Sequence, residues 1–216
     1  MSSRFMNVHT IPSGLIQTNA YLLTDLVRKE AILVDAPGEI WPKIKPILAG
    51  EGLTLRELWI THGHWDHTQG GAEVVRETDA RVVAHAADQV LIETPEVMEG
   101  FMGEKLGLEG IAVDQWVSAG QILTCFGHEV EVRHVPGHCP GNVMFVFPEK
   151  NLALVGDAIF AGSIGRTDLP GGSFEELATS IRSQIYTLPD ETKLYPGHGP
   201  TTTVGIEKQS NPHVPA

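Results

Sequence analysis

The sequence predicts an α+β protein built as two packed sheets with helices on their outer sides, an αββα sandwich, and three observations carry that expectation. Strand patterns dominate each half of the 216 residues, and a helical pattern closes each half. No linker rich in Pro, Gly or Ser divides the chain, and no tandem repeat of short period is visible. With 42% hydrophobic residues the chain can bury one substantial core, so residues 1–216 are expected to form a single domain.

The elements follow in order. "FMNVHTIP" and "LIQTNAYLLT" carry β-branched and aromatic residues on either side of the turn signal Ser13-Gly14, and "AILVDA" is a short apolar run halted by Pro37-Gly38. From Glu39 to Ala49, Ile40, Ile44, Ile47 and Leu48 recur at helical spacing, with Gly50 as a stop and Pro46 expected to kink or shorten the helix. "LRELWIT" is a strand that runs into a histidine cluster; "GAEVVRETDA" reads as a helix, "RVVAH" as a strand and "AADQVLIE" as another helix. Between Thr94 and Val113 the pattern loosens, yet Met98, Phe101, Met102, Leu106, Leu108 and Ile111 stay apolar, as a helix or two packed on the core would require, or an apolar wall beside a site. In the second half "HEVEVRHV" alternates as a half-buried strand, "NVMFVFP" and "LALVGD" are buried strands, and "KLYPGH" is a last short one. Ser173 and Glu176 form a capping box for a helix through about Tyr186, with Leu177, Ile181 and Ile185 on one face.

Composition removes several function classes. A formal charge of −12, without a basic run, disfavours nucleic acid. No stretch approaches 18 consecutive apolar residues and no basic segment leads into an apolar run, so a soluble protein that is neither exported nor membrane-bound is expected. Cys125 and Cys139 offer neither a disulfide framework nor a zinc-type Cys-x-x-Cys, in keeping with a cytoplasmic location.

The polar clusters all follow apolar strands. His62, His64, Asp66 and His67 lie in "THGHWDH", His138 follows "VRHVPG", Asp157 follows "LALVG" and His198 follows "LYPG". Packing gives no reason to place three histidines and an aspartate in seven positions, whereas metal binding does. If that loop is an extended turn, positions 62, 64 and 66 share one side and His67 reaches the other, so one loop can serve two centres. Two metals suit the inventory: His62, His64 and His138 with Asp157, and Asp66, His67 and His198 with Asp157 as a bridge. Nitrogen and carboxylate donors without thiolate fit zinc, iron(II) or manganese. Two metals sharing a water would supply hydroxide near neutral pH.

"HGHWDH" matches in full the His-x-His-x-Asp-His signature of the metallo-β-lactamase superfamily, and "PGHCPG", "VGDAIF" and "YPGHGP" match its later motifs in the family's order. The resemblance runs from the first strand to His198. It implies an αββα metallo-β-lactamase sandwich with two divalent ions, zinc foremost and iron or manganese as alternatives. Asp35, at the end of "AILVDAPG", resembles a family position that supports the metal loop from behind.

Within the superfamily the chain looks like the short glyoxalase II-like hydrolases and their neighbours, the persulfide dioxygenases, with which it shares "GSIGRTDLPGGS". The intact second ligand set disfavours flavodiiron proteins and true β-lactamases. The resemblance implies a thioesterase that cleaves S-D-lactoylglutathione or a related acyl thioester with a metal-bridging hydroxide. Asp66 would orient the nucleophile, and Arg166 would offer a planar cation to a glutathione carboxylate or pair with Asp168 instead. An iron(II) persulfide dioxygenase using His62, His138 and Asp157 is the alternative, ahead of a lactonase or a non-catalytic metal-bound scaffold. The sequence stops 18 residues after His198, so the C-terminal glutathione-binding helical domain of longer glyoxalase II enzymes is not expected. A monomer or small homo-oligomer is expected. His85 and His134 read as structural histidines, and Cys139 as a packing residue.

Overall fold

The computed structural model describes residues 6–102 and 105–216, and the side chains of Phe101 and Met102 lie outside the described set with residues 1–5, 103 and 104. The chain divides into two compact units, one of residues up to Ala84 with Gln89–Trp116, the other of His85–Asp88 with Val117–Ala216.

The first unit opens with β1 (Asn7–Ser13), β2 (Thr18–Asp25) and β3 (Glu30–Val34), an antiparallel meander. Helix α1 (Trp41–Glu51) crosses to β4 (Thr54–Trp59), parallel to β3, and the short α2 (Trp65–Thr68) and α3 (Gly71–Thr78) lead to β5 (Arg81–His85), parallel to β4. Then come α4 (Gln89–Glu93), α5 (Glu96–Met102) and β6 (Gln115–Val117), and the sheet order is β1-β2-β3-β4-β5-β6. Its core gathers Leu22, Leu33, Ile40, Ile44, Leu58, Ile60, Val82 and Ile111.

Two expectations need correction here. Helix α1 runs through Pro46, because Trp41, Ile44 and Leu48 hold its face on the core, and it ends at Gly52 rather than Gly50. Gly52 takes the left-handed conformation (φ 63°) and its N–H returns to Ala49 and Leu48, which only a residue without Cβ does cheaply. The Ala86–Glu93 helix is split, with a 3₁₀ turn over Ala86–Asp88 before α4. Met98, Leu108 and Ile111 are buried, as the packed reading of the 94–113 segment requires.

The second unit contains β7 (Ile122–Cys125), β8 (His128–His134), β9 (Val143–Phe147) and β10 (Leu152–Gly156), a hairpin of β11 (Ile159–Phe160) and β12 (Ser163–Ile164), α6 (Phe174–Ser180), β13 (Lys193–Pro196), β14 (Thr202–Thr203) and α7 (Val204–Ser210). Its sheet order is β14-β13-β10-β9-β8-β7, antiparallel except where β10 meets β13. Half of the predicted capping box forms: the Ser173 hydroxyl accepts from Glu176 N–H at 3.3 Å while Ser173 N–H donates to the Gly137 carbonyl at 2.7 Å, and α6 continues through a π turn at Ile181–Ile185. Glu207 of α7 is fully buried; its carboxylate accepts from Thr202 Oγ1 (2.6 Å), Asn211 Nδ2 (2.9 Å) and Gly162 N–H (3.0 Å), fastening α7 to the β11–β12 hairpin. Among the described residues no helix is long and apolar enough to cross a membrane.

Candidate metal centre

In the first unit the ligand candidates stand at the ends of β3 and β4. Asp35 leaves β3 in a left-handed conformation (φ 59°), which aspartate tolerates better than most residues, and turns its carboxylate under the histidine segment. It is 1% exposed and accepts three hydrogen bonds, from Thr61 N–H (2.7 Å), Thr61 Oγ1 (2.8 Å) and His67 Nδ1 (2.7 Å). Main-chain bonds from Asp35 N–H to the Trp59 carbonyl and from Ala36 N–H to the His67 carbonyl lock the same turn. The segment is less extended than the sequence suggests: His64 is the last extended residue (ψ 145°), and Asp66 and His67 lie inside α2.

Because the Asp35 carboxylate can only accept, His67 carries its proton on Nδ1 and turns the lone pair of Nε2 outward, 3.4 Å from Asp66 Oδ2. Thr61 gives its one hydroxyl proton to Asp35, so its oxygen accepts from His62 Nδ1 at 3.1 Å and leaves His62 Nε2 as the ligand atom. The Asp66 carboxylate also accepts from Thr18 Oγ1 of β2 at 2.8 Å. Candidate ligand atoms of the pairs His62–His64, His62–His67 and Asp66–His67 lie within 4.8 Å of one another.

The second unit presents the remaining three. His138 donates from Nδ1 to the Arg166 carbonyl at 2.7 Å, and its Nε2 faces Asp157 Oδ2 at 3.7 Å. His198 Nε2 stands 3.4 Å from the same oxygen, with the Phe160 ring edge-on to the His198 imidazole. A Cβ on Gly165 would run into the Asp157 carbonyl and His138 Nδ1, so that glycine permits the close approach of the loop. The positioning contact of this loop is thus the Arg166 main chain, while the Arg166 guanidinium forms a two-point, largely exposed pair with Asp168 at 2.7 Å for both contacts. Hydrogen bonding to Asp168 raises the Arg166 pKa, and Arg166 in turn holds the Asp168 carboxyl at about 2.

Within each unit the donor chemistry fits a divalent metal. Imidazole Nε2 and carboxylate oxygen stand 3.4 to 3.7 Å apart in these pairs, a spacing at which both atoms can reach one divalent cation. Each of His62, His67 and His138 has its other nitrogen tied to a hydroxyl, a carboxylate or a carbonyl, the arrangement that orients metal-binding imidazoles. The all-nitrogen and oxygen set suits zinc, iron(II) or manganese alike.

Sequence reasoning misses Thr18 and Thr61. Thr61 directly precedes His62, which is the one local signal; Thr18 lies far in sequence from Asp66. His134 and His85 are satisfied as structural histidines: His134 Nε2 reaches the Pro140 carbonyl at 2.7 Å, His85 Nδ1 accepts from Ala87 N–H, and the two rings stack at 4.3 Å. Burial and then His134 push the His85 imidazole below its ordinary pKa, against a weaker pull from Asp88.

The family model for the metallo-beta-lactamase superfamily matches residues 13–198. The hydroxyacylglutathione hydrolase GloC of Haemophilus influenzae is 37% identical over 213 residues, covering 96% of this chain and 97% of the relative. Among solved structures, BLEG-1, described as a B3 metallo-beta-lactamase, is 33% identical with a TM-score of 0.89 over 97% of this chain and all of its own. TTHA1623, solved in a di-iron-bound form, is also 33% identical, with a TM-score of 0.84 over 96% of this chain and all of its own.

Proposed function

Since the chain belongs to the metallo-beta-lactamase superfamily, we propose that it is a metallo-hydrolase of thioesters, of the glyoxalase II type, in which His62, His64, Asp66, His67, His138, Asp157 and His198 hold two divalent ions. The observation that carries the metal reading is the convergence of imidazole Nε2 atoms and carboxylate oxygens at 3.4 to 3.7 Å, with His67 and His138 oriented from behind by Asp35 and the Arg166 carbonyl. The thioester reading rests on the 37% identity to a hydroxyacylglutathione hydrolase over nearly the whole of both chains. Zinc is the first candidate metal, and a small glutathione-derived thioester the first candidate substrate.

Bound there, the ions would supply an acidified water near neutral pH and an electrophile for the carbonyl oxygen. Asp66, whose carboxylate is held by the Thr18 hydroxyl, would accept a hydrogen bond from that water and orient it toward the carbonyl. The thiol leaving group, with a pKa near ~8.5, departs without a strong general acid. Arg166 can meet a substrate carboxylate with the guanidinium face that Asp168 does not occupy, or by exchanging Asp168 for it.

The second reading, an iron(II) persulfide dioxygenase with His62, His138 and Asp157 as ligands, draws support from the di-iron form of a 33%-identical structure. The test is hydrolysis of S-D-lactoylglutathione by zinc-loaded protein and by its Asp66→Ala variant, beside oxygen uptake with glutathione persulfide by iron-loaded protein and hydrolysis of a chromogenic β-lactam. Turnover of the thioester that falls ~100-fold or more in Asp66→Ala supports the proposal. No thioester turnover by metal-replete wild type overturns the substrate class, and near-normal turnover by a metal-replete Asp66→Ala overturns the role of Asp66.

A further inference from the structure

His138 sits in the turn that joins β8 to β9. The neck of that turn is closed by Val135 N–H to the Asn142 carbonyl at 2.8 Å, and Gly137 O accepts from Ser173 N–H at 2.7 Å. Closing the neck does not by itself orient the tip, residues 138–141, where the ligand side chain originates. The tip is gripped from two sides. On one, His134 Nε2 donates to the Pro140 carbonyl at 2.7 Å. On the other, the carboxylate of Asp88, 1% exposed, accepts from Gly141 N–H at 2.6 Å and from the Cys139 thiol at 3.1 Å.

Both neighbours are shaped for this carboxylate. A Cβ on Gly141 would collide with Asp88, so only glycine lets the main-chain N–H come so near. Cys139 is fully buried and its thiol points at the second oxygen, which gives a small donor residue a reason to stand next to a ligand. Burying an ionised carboxylate is costly unless hydrogen bonds compensate, and here the donors belong to the two residues flanking Pro140 in the His138 turn.

We propose that Asp88 is a positioning residue for His138: through Gly141 N–H and the Cys139 thiol it fixes the turn that aims His138 Nε2 at the metal. This rests on the metal-centre reading above and adds to it a buried carboxylate, distant in sequence, on which the geometry of one ligand depends. Asp88 touches neither metal nor substrate in this scheme.

The experiment uses cobalt(II) as the probe on full-length protein, reading affinity by chelator competition and ligand geometry by the visible absorption bands. Thermal melts of the metal-free proteins monitor the fold. Asp88→Ala is expected to weaken cobalt binding about 10- to 100-fold and to shift the bands. Asp88→Asn, whose amide oxygen still accepts from Gly141, is expected to restore affinity to within about fivefold of wild type. Should Asp88→Ala fail to fold, Cys139→Ala takes its place, with an expected loss of about two- to fivefold and recovery in Cys139→Ser. A folded Asp88→Ala, or a Cys139→Ala used in its stead, with wild-type affinity and wild-type bands overturns the positioning role while leaving the metal centre standing. Wild-type protein that binds no cobalt overturns the metal centre and this role with it.

Discussion

Replacing Asp35 with Asn changes one atom of a buried side chain and should disarm two proposed metal ligands, His62 and His67, at once. Asp35 Oδ1 accepts from Thr61 N–H, whereas Oδ2 serves both the Thr61 hydroxyl and His67 Nδ1. In Asp35→Asn the amide oxygen keeps the Thr61 N–H, so the NH₂ group takes the place of Oδ2 and meets two donors. His67 avoids the clash by moving its proton to Nε2, the atom that should bind metal. The Thr61 hydroxyl turns to accept from the amide and donates its O–H to the lone pair of His62 Nδ1, 3.1 Å away, so that the neutral His62 ring carries its proton on Nε2 as well. Restoring either metal-binding tautomer costs about one buried hydrogen bond, ~1–3 kcal/mol, or about 5- to 150-fold in metal affinity per histidine. The metal-free fold should lose much less, because the amide still bonds all three neighbours and relieves a buried charge. Zinc affinity by competition with a chromophoric chelator measures the first effect, histidine ¹⁵N NMR of the metal-free protein reads the tautomers, and a thermal melt reports the second. Wild-type zinc affinity in Asp35→Asn, or His67 still protonated on Nδ1, would refute the relay.

Two further outcomes concern titration. The two-point pair with Arg166 holds the Asp168 carboxyl at about 2 against an ordinary 3.8, so the pair's contribution is present above about 3.8 and is lost as pH falls toward 2. A carbon-detected NMR titration should give a midpoint near 2 in wild type and one in the usual carboxylate range in Arg166→Gln; an ordinary midpoint in wild type would show that the pair does not persist in solution. Tyr186 is buried and donates to the Val214 carbonyl at 2.8 Å and the Glu207 carbonyl at 3.2 Å, and burial pushes its pKa up to about 12. The unfolded phenol ionises near 10, so stability should fall as pH rises from 10 to 12. Tyr186→Phe should remove that dependence and cost about 1–3 kcal/mol at neutral pH in urea unfolding, and an unchanged alkaline profile would count against the assignment.

Much of the first unit was legible from period and punctuation, because β2 and β3 are buried runs, β4 alternates before closing on the buried Leu58 and Trp59, and the histidine cluster follows it. Helix α1 was legible too, but its end was not: Gly50 and Gly52 look alike in sequence, and only the left-handed turn at Gly52 that returns its N–H to Leu48 and Ala49 distinguishes them. In the second unit α7 and the short β7, β11, β12 and β14 escaped notice, since two to four residues carry no measurable period and the seven-residue α7 is held by the buried Glu207 rather than by a strong amphipathic stripe. The candidate ligand residues could be picked out one by one from their motifs. Their supports could not, because Asp88 is 51 residues from Cys139 and Thr18 is 48 from Asp66, and nothing local marks either pair.

Parallel pairing has a further consequence. Val34 stands opposite Trp59 just before Asp35 and Thr61, and Gly156 stands opposite Pro196 just before Asp157 and His198. Since a strand advances about 3.3 Å per residue, one residue inserted into or deleted from β3, β4, β10 or β13 would slide a ligand or its support past its partner by a full hydrogen-bonding distance and reverse the facing of every side chain beyond it. The four strands should therefore tolerate exchange of one apolar residue for another far better than any change in length. In related chains, variation in length belongs in the connections on the far side of the strands from these residues, where an added residue lengthens a loop and leaves the spacing of the donors intact.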